Sequence, residues 1–66
     1  MVVWINGEQR ELAAGAGVID ALTALGAPGA GVAVAVDGEV VPRADWQATR
    51  LADGARVEVL TAVQGG

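Results

Sequence analysis

Hydrophobic and polar positions divide this chain into short stretches with two different periods. Residues 1–5, "MVVWI", form a continuous β-rich apolar run. The run stops at Asn6-Gly7, a dipeptide suited to a type I′ hairpin because both central residues of that turn need positive φ. "EQREL" then predicts a second, more polar strand at a sheet edge. After "AAGAG" the period changes. Val18, Ala21, Leu22 and Leu25 fall at the i, i+3, i+4 and i+7 positions of one helical face. Asp20 lies in the first turn, where a negative charge suits the helix dipole. Gly26 is placed to end the helix in the left-handed conformation, and Pro28 blocks its continuation. Gly17 as N-cap offers no side-chain oxygen, so the start is less sharply specified than the end.

Beyond the helix, "GVAVAV" returns to a period of two, with Val32, Val34 and Val36 on one face and Ala33 and Ala35 on the other. Asp37-Gly38 marks a turn, "EVV" a brief strand closed by Pro42, and "RADWQATRL" an irregular or single-turn helical connection. Asp53-Gly54 is a further turn. It leads into "RVEVLTAV", the last strand, with Val57, Val59 and Thr61 facing one way. One helix cannot cover both faces of a sheet, so the order predicts an α+β fold with the helix on one face. The hairpins are antiparallel, and the long connection permits parallel pairing of the first and last strands. Together these features predict a β-grasp with a mixed sheet. Residues 1–63 are expected to form that domain, and residues 64–66 a flexible tail ending in Gly-Gly.

Alternation also sorts the aromatic residues. If Val3 and Ile5 face the helix, Val2 and Trp4 point to the opposite face, where no second helix waits. Leu60 and Ala62 of the last strand are expected to join Trp4 there, since parallel pairing of the first and last strands would bring Leu60 alongside it. Trp4, Leu60 and Ala62 thus form a candidate partner-docking face, since Trp is enriched at the energetic centres of interfaces. Trp46, just after Pro42, is expected to plug one edge of the core.

Composition narrows the chemistry. The 66 residues contain no Cys, His or Lys, and eight carboxylates face four arginines for a net charge of −4. Lacking His and Cys, the chain has neither the commonest general base nor a thiolate. Glu8, Glu11, Asp37, Glu39, Asp53 and Glu58 sit in turns and on strand edges, where carboxylates are ordinarily just solvated, so no catalytic residue and no metal site is assigned. The acidic balance speaks against nucleic acid and against an anionic membrane surface as partners. No apolar stretch approaches the roughly 20 residues of a spanning helix. The N-terminus lacks the basic region of a signal peptide, and a cytoplasmic location is expected.

The terminal "TAVQGG" is the remaining feature. Gly65 and Gly66 add nothing to a core, but they carry an α-carboxyl group, which is ionised at neutral pH. Such a carboxylate can attack the α-phosphate of ATP in a partner enzyme and become an acyl-adenylate. Without Cβ atoms, the two glycines pass a narrow channel. With the strand expected to end near Val63, the last three or four residues, Gln64, Gly65 and Gly66 among them, reach roughly 10–14 Å at about 3.3–3.6 Å per residue.

"VAVAVDGEVVPRADW" followed by "TRLADGARVEVLTAVQGG", with the N-terminal "INGEQREL" and the helix ending "LG", resembles the ThiS sulfur-carrier family of thiamine biosynthesis over the whole chain. The resemblance implies a ubiquitin-like β-grasp. It also implies that Gly66 is adenylated by a ThiF-like adenylyltransferase using MgATP, with no cofactor bound by the chain itself. Sulfur from a cysteine-desulfurase persulfide would then convert the terminus to a thiocarboxylate, which donates sulfur to a ThiG-like thiazole synthase. Similar terminal chemistry belongs to MoaD-like carriers of molybdopterin synthesis and to ubiquitin-like protein modifiers, although MoaD-like chains usually run longer and lack "VPR-x-x-W". A TGS-like β-grasp binding module is the non-carrier alternative. In one respect the chain departs from the ThiS pattern: "AGAG" stands before the helix where Thr or Ser is common.

Overall fold

Asn6 and Gly7 both adopt positive φ, +52° and +83°, and reverse the chain between β1 (Val2–Ile5) and β2 (Glu8–Glu11). Asp37 and Gly38 do the same, at +50° and +86°, between β3 (Val32–Val36) and β4 (Glu39–Val41). These are the two type I′ hairpins that the dipeptides specify. In between lies the helix α1 (Val18–Leu25), and β5 (Arg56–Thr61) follows a 3₁₀ helix at Arg43–Ala48. The computed structural model describes residues 1–26 and 31–61. Pro28 and the 63/64 domain boundary lie outside them.

The five strands form one sheet in the order β2-β1-β5-β3-β4. β1 and β5 are parallel, and every other pair is antiparallel. This is the ubiquitin-like β-grasp. The connection from β1 to β5 runs through the whole chain, and it is that length which allows a parallel pair at the centre.

The core lies between the sheet and α1. Val3 and Ile5 of β1, Val34 of β3, and Val57 and Val59 of β5 are buried against Val18, Ala21 and Leu22 of α1. Thr61, next on the inward face of β5, is exposed, because it lies past Val59, the last buried residue of that strand. At the far end of the helix, Gly26 takes φ +76° and its N–H reaches back to the Thr23 carbonyl. Arg10 of β2 donates to the Ala24 carbonyl at 3.2 Å, placing a cation at the negative end of the helix dipole.

The start of α1 has a different construction. Gly17 is the N-cap, and its N–H donates to the Asp20 carboxylate at 2.8 Å. The Val18 N–H donates to the Thr49 carbonyl at 3.1 Å, and the Leu51 N–H to the Ala16 carbonyl at 2.9 Å. A backbone bridge to residues 49–51 thus replaces the side-chain cap that "AGAG" cannot provide. Trp46 closes the same corner. It is buried, and its indole N–H donates to the Val41 carbonyl at 2.9 Å. The 3₁₀ helix that carries it runs six residues, longer than the usual three or four.

Candidate functional site

Strand alternation, with one face of the sheet buried under α1, leaves the opposite face open. Trp4 stands on it, 40% exposed, while its neighbours Val3 and Ile5 are buried. Leu60 stands on the same face and is 69% exposed, between buried Val59 and exposed Thr61. Both therefore face away from the helix, as their periodicity predicts.

They do not stand side by side. In the parallel ladder Trp4 is opposite Arg56, and Ile5 opposite Val57. Leu60 is four residues beyond Arg56, which puts roughly 13 Å along the strand between them at about 3.3 Å per residue. The expectation that parallel pairing brings Leu60 beside Trp4 is thus corrected. β1 ends at Ile5, so its last residues lie level with the start of β5.

Each residue accordingly has its own neighbourhood. Trp4 lines a broad concavity with Gly7, Asp37, Gly38, Arg56 and Glu58, over the first residues of β5 and bordered by one glycine from each hairpin turn. The Arg56 N–H donates to the Asp37 carboxylate at 3.0 Å, and the Asp37 N–H to the Arg56 carbonyl at 2.8 Å, which ties the second turn to β5. Leu60 pairs with exposed Ala33 of β3, and one row away Glu58 pairs with Ala35, which in turn pairs with Val40 of β4. Val40 is 76% exposed. It is an apolar member of this face that the sequence reading did not single out. The signal was present in "EVV": with Val41 half-buried against the core, alternation sends Val40 outward.

The face therefore has a Trp–Arg end and an aliphatic end, joined by the carboxylate of Glu58. The aliphatic end, Leu60 with Ala33, lies next to Thr61, the last described residue before the terminal segment. Ala62, Gln64, Gly65 and Gly66 lie outside the described residues. Among the described residues no group of three or more Asp and Glu side chains could hold a metal ion. No helix among them is long and apolar enough to cross a membrane.

A match to the ThiS family runs over residues 3–66. The chain belongs to the ThiS family. Its fold is similar to the crystal structure of a thiamine biosynthesis protein (ThiS) from Geobacter metallireducens, with 35% identity, a TM-score of 0.81 and complete coverage of both chains. It is also similar to an NMR solution structure of a thiamine biosynthesis protein from the same organism, with 35% identity and a TM-score of 0.80. That likeness covers all of this chain and 88% of the other. No curated protein matches the chain.

Proposed function

We propose that this protein is a sulfur carrier of thiamine biosynthesis and that the carboxylate of Gly66 is the carrying group. One observation supports the reading above others. The family match continues through residue 66, so it takes in the Gly65-Gly66 end as well as the sheet.

The chemistry follows from the terminus. A carboxylate is a poor acyl donor until one oxygen becomes part of a leaving group. In a ThiF-like adenylyltransferase, the Gly66 carboxylate attacks the α-phosphate of MgATP, releasing pyrophosphate and forming an acyl-adenylate. The terminal sulfur of a cysteine-desulfurase persulfide, or of an equivalent donor, then attacks the acyl carbon and displaces AMP. A thiol cleaves the S–S bond of the resulting acyl disulfide, which frees the thiocarboxylate and leaves a disulfide on the donor side. A ThiG-like thiazole synthase takes the sulfur. The carrier supplies reach and recognition as a cytoplasmic co-substrate, and the partner enzymes supply the catalytic groups.

On this reading the helix-free face docks the partner. Trp4, Leu60 and Ala62 provide apolar contacts, with Gln64 and Gly65 threading toward the active site. The test is the intact mass of the protein after incubation with an adenylating enzyme, ATP and a sulfur source. A gain equal to exchange of one oxygen for sulfur, mapping to Gly66, is expected. Modification at any other residue, or an isopeptide bond from Gly66 to a lysine of another protein, would overturn the proposal.

A further inference from the structure

β1 stops at Ile5, opposite Val57, while β5 continues to Thr61. Ile5 pairs with Val57, and the Asn6 N–H still donates to the Val57 carbonyl at 2.9 Å. At Asn6, φ becomes +52° and the backbone swings away into the hairpin turn. The next peptide groups of β5 on that side belong to Val59. Their partner is the Asn6 side chain. Its Oδ1 accepts from the Val59 N–H at 2.8 Å, and its Nδ2 donates to the Val59 carbonyl at 3.2 Å. A primary carboxamide copies the donor and acceptor of a peptide group, so Asn6 extends the parallel ladder by one position after the backbone has left it.

The residue type is specific to this task. Asp also tolerates positive φ in a turn, as Asp37 does, and the Asp37 carboxylate accepts from the Arg56 N–H on the other side of β5. A carboxylate has no hydrogen to give, however, so it could hold only the N–H of Val59. Glycine would suit the turn and hold neither group. Only Asn meets both requirements, the left-handed backbone and the paired donor and acceptor.

Val59 is also the last buried residue of β5, two positions before Thr61 and seven before Gly66. From Val59 onward, β3 holds one side of the strand through the Leu60–Ala33 and Thr61–Val32 pairs. On the other side the Asn6 carboxamide holds Val59 itself. We propose that Asn6 is a positioning residue for the terminal chemistry. Its clamp on Val59 fixes the point and direction from which the segment ending in Gly66 enters a partner's active site. The inference rests on the carrier reading above and adds a residue to it. Its physical basis is that group transfer needs the reacting atoms in near-attack geometry, where a displacement of about 1 Å can lower the rate by about 100-fold.

Two variants of the full chain test this. Asn6→Gly keeps the turn geometry and removes both bonds, and Asn6→Asp keeps the acceptor and loses the donor. Three quantities are read: amide hydrogen exchange at Val59 and Val57, affinity for the adenylating enzyme, and the single-turnover rate of acyl-adenylate formation. With Asn6→Gly, exchange at Val59 should accelerate while Val57, paired with Ile5, stays protected. Affinity should hold within about twofold, and the single-turnover rate should fall roughly tenfold, part of the loss that misplacement allows. Asn6→Asp should fall between parent and Asn6→Gly in rate. Should Asn6→Gly fail to fold, the Asn6→Asp rate and exchange decide alone. Unchanged exchange at Val59 would show that the clamp does not operate in solution. Faster exchange with an unchanged rate would make Asn6 purely structural. Either result overturns the proposal. A parent chain that is never adenylated would instead sink the carrier reading, and the proposal with it, whatever the exchange data show.

Discussion

A Cβ atom added to Gly17 would stand 2.5 Å from the carbonyl oxygen of Thr49, closer than carbon and oxygen can approach without one backbone moving. Gly17 has an ordinary extended φ of −120°, so its need for glycine is one of space alone. That carbonyl accepts from the Val18 N–H, and the bridge between Gly17 and Arg50 joins the start of α1 to the segment leading into β5.

Gly17→Ala should therefore destabilise the protein by more than the ordinary preference of an N-cap for glycine over alanine. Overpacking of this kind costs about 1–3 kcal/mol. In a domain this small, each kcal/mol lowers Tm by about 4–8 °C. A thermal melt by circular dichroism checks it, and a Tm equal to or above that of the parent would contradict the close approach.

Trp46 should behave as a core residue with one polar obligation. Trp46→Ala should cost about 3–5 kcal/mol, a large fraction of the stability of a chain this short. Trp46→Phe keeps most of the apolar contact but removes the donor to the Val41 carbonyl. A loss of roughly 1–3 kcal/mol is expected if that carbonyl stays unpaired. Urea titrations of the two variants should separate the packing contribution from the hydrogen bond.

Trp4→Ala should give the opposite profile. The side chain is already 40% exposed, so Tm should stay near that of the parent. Affinity for the adenylating enzyme should fall by roughly thirtyfold, the equivalent of about 2 kcal/mol for an interface tryptophan. A large drop in Tm with unchanged affinity would place Trp4 in the core. Because the ladder sets Leu60 some way along the strand from Trp4, the Trp4→Ala and Leu60→Ala effects on binding should add to within about 0.5 kcal/mol. Strong coupling in the double-mutant cycle would mean that one partner side chain bridges both ends of the face.

Deletion of Gly66 should abolish adenylation and leave stability unchanged. Every buried residue of the described core lies at or before Val59, so the truncation removes none of it. ATP–pyrophosphate exchange measured beside a thermal melt decides the matter. Exchange retained by the truncated chain would show that the reaction does not use this carboxylate.

The sequence by itself determined what depends on neighbours a few residues apart. The period of two put Val3, Ile5, Val57 and Val59 inside and Trp4 and Leu60 outside, and the period of 3.6 set the buried face of α1. Asn6-Gly7 and Asp37-Gly38 specified their own turns, because positive φ is a local steric preference. Tertiary structure alone decided how distant segments align. Alternation says which face a side chain takes but not how far along the neighbouring strand it stands, so the stagger between Trp4 and Leu60 emerged only from the β1–β5 register. Locally Gly17 is only a weak cap, and its requirement for glycine comes from the Thr49 carbonyl packed against it. Asn6 read as a turn residue, and its second role depends on Val59, 53 positions away. No local pattern encodes that pairing, because it exists only when the folded core brings the two ends of the chain side by side.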